Sequence, residues 1–190
     1  MESRGCISVL RSRLLMLVPL IALPAFMGSA QVYMTKDEAL KRFFPAASAV
    51  ERKTLFLTDS QTKEVEALAK SRLESKVITY YTGRRGNDLL GYAFFETHVV
   101  RTMPATVLIM LTPAGQVERV EILAFYEPED YLPPKRWLEL FRARALDDNL
   151  WVKRGIQGIS GATLSAQAIT AGVRRFLAMF RVALAKEVSQ

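Results

Sequence analysis

Residues 77–126 carry four strand-like runs in close succession, and this block limits the fold more than any other stretch. Val77 to Gly83 and Leu89 to Val99 flank Arg84-Arg85-Gly86-Asn87-Asp88, which reads as a hairpin turn. Ala105 to Thr112 and Val117 to Tyr126 flank Pro113-Ala114-Gly115-Gln116, a second turn signal. Connections this short join antiparallel neighbours, because a parallel crossover needs about a dozen residues or more. Val107 to Leu111 is apolar at every position, as in a central strand. Val117, Val120, Ile122 and Ala124 alternate only approximately. The pattern predicts a four-stranded antiparallel meander.

Helical signals lie on both sides. Thr35-Lys36-Asp37-Glu38 is a capping box that opens a short helix ending near Pro45. Thr58-Asp59-Ser60-Gln61 repeats the signal, and the helix it opens puts Val65, Leu68, Ala69 and Leu73 on one face. Val50 to Leu57 between them reads as a strand. Pro133 or Pro134 starts a helix through Trp137, Leu138, Phe141 and Ala145. The last helix is predicted from about Thr163 to Val188. Its apolar positions Ile169, Val173, Phe176, Leu177, Phe180 and Leu184 recur at three and four, with Lys and Arg on the opposite face. The class is therefore α+β: an antiparallel β-sheet packed with helices, closed by a long C-terminal amphipathic helix.

The first thirty residues have another character. Arg4, Arg11 and Arg13 precede the uncharged run Leu14 to Met27, and Gly28-Ser29-Ala30 gives a small-residue exit before Gln31. Basic start, short apolar core and small-residue end are the parts of a secretory signal. The organisation expected is a signal peptide over 1–30, a helix and strand segment over 31–76, and the main domain over 77–190. The location expected is extracytoplasmic, in a periplasm, with membrane association if the apolar run is retained as an interfacial anchor.

Composition then excludes several functions. The single cysteine, Cys6, lies inside the signal, so the mature chain has neither disulfides nor thiolate-built zinc sites. The single histidine, His98, excludes His-rich metal centres, and C-x-x-C-H haem attachment is absent. The net charge of +7 is spread along the chain with no dense Lys/Arg tract, so there is no nucleic-acid signature.

The segment with chemical potential is Ile159-Ser160-Gly161-Ala162-Thr163-Leu164-Ser165, just before the last helix. Gly161 permits close approach to the backbone. Ser160, Thr163 and Ser165 offer hydroxyls. The helix start presents unpaired N–H groups and partial positive charge, an arrangement suited to an anion or phosphate. Lys153 and Arg154 add nearby positive charge. An ordinary helix cap uses the same residues, with Thr163 or Ser160 satisfying a helix donor.

Ser160-Gly161-Ala162-Thr163, preceded by Gly158-Ile159 and followed by Leu164-Ser165, resembles the flavinylation motif of the FMN-binding domain family. That family includes the C subunit of the sodium-translocating NADH:quinone reductase and the G subunit of its Rnf relative. The resemblance implies FMN carried on Thr163 through a phosphoester. Ser160, Gly161 and Ala162 would form the surrounding turn. The bond would be made by an FAD:protein FMN transferase that uses FAD and a divalent metal. The sequence departs from the family in two places. Gln157 stands where the family usually has Asp, and Tyr126-Glu127-Pro128-Glu129 stands where many relatives have an E-T-P-G-like segment.

A flavin ring needs apolar or aromatic walls and a few polar groups at its edge. Tyr126, Tyr131 and Trp137 are candidate walls. His98 is a candidate proton carrier, with an ordinary strand-end histidine as the alternative. Glu127 is a candidate ring-edge partner, and Arg101 a candidate partner of a phosphate or of Glu96. The expected function is extracytoplasmic electron transfer by a flavoprotein, with redox proteins or membrane electron carriers as partners. The alternatives are a non-redox binding module for an anionic ligand and an FMN-dependent reductase of a small molecule.

Overall fold

The structure, a computed structural model, describes residues 31–185. The expected export signal, with Cys6, lies outside the described residues. The meander is present, extended by a strand on each side. Its strands are β1 (Gln31–Val32), β2 (Ala49–Phe56), β3 (Val77–Arg85), β4 (Asp88–Val99), β5 (Pro104–Leu111) and β6 (Val117–Phe125). They form one antiparallel sheet in the order β1-β6-β5-β4-β3-β2. β2 pairs with β3 from Ala49↔Arg84 to Phe56↔Val77, and β1 adds two residues beside Ala124 and Phe125. The turn between β3 and β4 is tighter than expected, because Arg85 already pairs with Asp88 around Gly86 and Asn87.

Helices cover both faces. α1 (Lys36–Phe43) opens on the Thr35–Glu38 capping box, and α2 (Asp59–Ala69) on the Thr58–Gln61 box. α1 packs Ala39, Leu40 and nearby Phe44 against Ala93, Leu108, Met110 and Leu123. On the other face, α2 and the long helix α4 (Thr163–Met179) cover Tyr80, Tyr92, Phe94, Val107, Ile109 and Leu111. β5 therefore has cover on both sides. Its odd positions face α4, its even positions face α1, and its unbroken apolar run follows from that. Each such side chain contributes about 1.5–3 kcal/mol on burial. With sheet and helices segregated in this way the fold is α+β.

Three helical expectations need correction. α2 ends at Ala69, short of Leu73, because Lys70 takes a left-handed φ of 52°. The helix after Pro134 is a single turn, α3 (Lys135–Leu138), followed by 3-10 geometry over Glu139–Phe141. It stops before Ala145 because Ala143 takes a left-handed φ of 59°, which turns the chain so that Ala143 N–H reaches the Val117 carbonyl at 2.7 Å. The last helix is also less amphipathic than its sequence suggests. It continues from Met179 as a π-helical turn over Phe180–Leu184, and Arg174 on the supposed polar face is 1% exposed.

Candidate functional site

The motif is reached through a long loop, 142–162, whose shape is held from below. Arg174, on α4, donates to the carbonyls of Ala69 and Leu68 in α2 and of Asp147 in the loop, at 3.0, 2.8 and 2.6 Å. Its guanidinium also stacks on Trp151, 4.5 Å from the ring centre. Leu150 and Ile156 anchor the loop in the core. Trp137 Nε1 donates to the main-chain carbonyl of Gln157 at 2.6 Å, while the Gln157 side chain stays exposed.

At the motif, Gly161 has φ +83°, a conformation that penalises a side chain, and a Cβ there would project into open space. The turn leaves Ala162 as the N-cap of α4, with no side chain capping the helix. The free N–H groups and positive end of the dipole are therefore not neutralised by a side-chain cap. Thr163 is exposed, and its hydroxyl makes one long hydrogen bond, 3.4 Å, to the Ile159 carbonyl. Thr163 does not act as the cap. Ser160 is exposed as well. Ser165 is buried at 1% exposure, and its hydroxyl donates to the Tyr131 carbonyl at 2.6 Å.

Gly161, Ala162, Thr163, Leu164 and Ser165 line one side of a hollow of about 350 Å³, and Arg101 and Tyr131 line the other. Arg101 comes from the short connection between β4 and β5, and its guanidinium lies 4.5 Å from the Tyr131 ring centre. That connection is held by Glu127, which is 4% exposed. One carboxylate oxygen accepts the backbone N–H groups of Arg101, Thr102 and Met103 at 2.9, 2.7 and 2.9 Å. Burial alone would push the Glu127 carboxyl upward. The three N–H groups and the Arg101 charge outweigh that and hold it below the usual range.

Several expected residues stand elsewhere. Trp137 is buried against Phe141 beneath the loop and does not line the hollow. Tyr126 does not line it either, and continues the sheet through its N–H to the Pro104 carbonyl. Glu127 meets a backbone loop instead of a ring edge. Lys153 and Arg154 are absent from the lining, so the nearby cation is Arg101. Arg101 has no bond to Glu96, which pairs with Arg175 instead. His98 sits at the end of β4 outside the hollow, and neither ring nitrogen has a hydrogen-bond partner among the described residues. Burial, with Arg175 adding to it, lowers its pKa to about 4.

The group implied by the motif fits the residues present. The exposed hydroxyl, the uncapped helix start and the cation opposite match a phosphate linkage, and Tyr131 with exposed Leu164 offers apolar surface. Among the described residues, no helix is long and apolar enough to cross a membrane. Compared with protein-family models and with curated proteins, the chain matches none.

Proposed function

We propose that this chain is an exported flavoprotein that carries FMN on Thr163 and takes part in extracytoplasmic electron transfer. One observation carries the reading: the S-G-A-T turn presents the Thr163 hydroxyl, exposed and nearly uncommitted, at an uncapped helix start facing Arg101. In the attachment step, Thr163 Oγ attacks the riboflavin-side phosphorus of FAD. The new O–P bond forms as the P–O bond to AMP breaks, and the hydroxyl proton passes to a base of the transferase. The first-turn N–H groups of α4 would stabilise the phosphate of that linkage. The flavin supplies the redox chemistry, accepting and passing electrons. The chain positions it. A shallow hollow with one aromatic wall grips a ring weakly, and a covalent tether removes the need for a tight grip. The partners are the transferase, then redox proteins or membrane electron carriers. A non-redox module that holds an anionic ligand is favoured by the same uncapped helix start.

The test is production of the full chain with an active FAD:protein FMN transferase, then denaturing electrophoresis under ultraviolet light. Wild type should fluoresce, and Thr163→Val, which keeps shape without the hydroxyl, should not. A fluorescent mutant band moves the attachment elsewhere. A dark wild-type band rejects covalent attachment by that transferase and leaves non-covalent FMN or the anion-binding module.

A further inference from the structure

We infer that Glu127 is a positioning residue whose task is to hold Arg101 as the phosphate-recognising arm of the Thr163 site. The inference rests on the flavin reading above and adds to it the part of the flavin that the site selects.

Three observations carry it. First, the Arg101 guanidinium makes no hydrogen bond or ion pair among the described residues. It lies over Tyr131 with its donors uncommitted, in the same hollow as Thr163. Its contact with Tyr131 holds the guanidinium beside the ring without engaging its N–H donors, and such a fork matches two phosphate oxygens. Second, Tyr131 is fixed relative to the motif, because its carbonyl accepts the Ser165 hydroxyl. The arm and the acceptor residue therefore share one frame. Third, the connection bearing Arg101 is exposed and short, yet a buried carboxylate gathers three of its consecutive N–H groups on one oxygen. Such an arrangement fixes a loop's backbone at the point where the side chain departs. The three main-chain donors gather on Oε1, and although the Arg101 charge is felt at Glu127, the guanidinium makes no hydrogen bond or ion pair to it among the described residues. Stacking of Arg101 on Tyr131 accounts for a contact, but not for a buried acid spent on holding the loop.

The ligand chemistry follows: a flavin that bears phosphate is preferred over the same ring system without it. Equilibrium binding of FMN and of riboflavin to the full chain, made without transferase and followed by flavin fluorescence, tests this. Wild type should prefer FMN by about tenfold or more, as expected for a charge-assisted pair. Arg101→Gln should bring the ratio near one, and Arg101→Lys should keep part of it. Glu127→Gln should lower the ratio by about threefold or more, with riboflavin binding little changed. A purely structural Glu127 would weaken both flavins alike and leave the ratio intact. Should Glu127→Gln not fold, Glu127→Asp, which keeps the charge but shortens the reach, gives the same reading. Equal affinities in wild type, no FMN binding at millimolar flavin, or a preference that survives Arg101→Gln overturns the inference. A dark wild-type band on the gel together with an Arg101-dependent preference would remove the covalent link and leave this inference standing.

Discussion

Ser165 Oγ donates to the main-chain carbonyl of Tyr131 at 2.6 Å, tying the first turn of α4 to the segment after β6. Three hydroxyls surround the S-G-A-T turn, and this bond separates their roles. Ser165 is buried and engaged, whereas Thr163 and Ser160 face solvent. Ser165→Ala should cost about 1 kcal/mol, because it strands a carbonyl that had a partner. Urea denaturation measures the loss. Flavin fluorescence on the denaturing gel should persist in this variant, since the proposed acceptor, Thr163, is untouched. Loss of the label at unchanged stability would return Ser165 to the candidates for attachment.

Arg174 is the counterpart deep in the core. Its guanidinium serves carbonyls of α2 and of the loop that leads to the motif. Arg174→Met keeps the aliphatic stem but leaves those carbonyls without their donor. The expected loss is at least about 3 kcal/mol, visible in chemical denaturation or as a collapse in soluble yield. A variant within about 0.5 kcal/mol of wild type would show that the loop holds itself.

These two residues mark where sequence reasoning succeeds and where it stops. Capping boxes at Thr35 and Thr58 are local chemistry, so the starts of α1 and α2 are legible, whereas the end of α2 is not, because nothing local marks Lys70 for the left-handed turn that stops the helix short of Leu73. The apolar run of β5 is legible because cover on both faces leaves no room for polar residues. The helix after Pro134 reads too long in the sequence, since nothing local marks Ala143 for a left-handed turn. Arg174 reads as solvent-facing because periodicity weighs it by charge and is blind to carbonyls supplied by α2. At the site, the motif stands out by its residues. The pairing of Arg101 with Tyr131 opposite the motif does not, because only the β4–β5 connection and the segment after β6 bring them to Thr163. Trp137 offers a ring to the sequence reader. Its indole instead serves the Gln157 carbonyl.

His98 should register in stability and be silent in flavin chemistry. Its pKa in the fold is about 4, against about 6.5 when unfolded, so the unfolded state binds the proton more readily. The His98 contribution to stability should therefore fall as pH drops below about 6.5, by about 2 kcal/mol between pH 7 and 5. Glu127, held low in the fold, adds a small loss of the same sign near pH 5, while Glu96, raised by burial, gains stability as pH falls and opposes the His98 slope. His98→Leu removes the proton site and two unpartnered ring nitrogens, and should remove the His98 share of the acid-side loss. Denaturation at several pH values shows this directly. Potentiometry of flavin-loaded wild type and His98→Leu should give matching curves above about pH 5.5, where the folded imidazole is neutral. A displaced curve would place the imidazole in contact with the flavin's protons.

The departure at position 157 offers a test of recognition apart from folding. Trp137 holds the Gln157 backbone carbonyl, and the side chain itself is exposed. Gln157→Asp changes only that outward group, so stability should stay within about 0.5 kcal/mol of wild type. The main-chain bond to Trp137 and the path into the S-G-A-T turn are kept. In the family that the motif resembles, a carboxylate usually stands three residues before the Ser of the motif. Restoring that carboxylate should raise the initial rate of fluorescent labelling severalfold, measured from timed samples with a fixed amount of transferase. Thr163→Val combined with Gln157→Asp should stay dark, which keeps the gain tied to Thr163. Equal rates for wild type and the Gln157→Asp variant would mean that the transferase reads the turn and the helix start, and that the amide serves as well as the acid.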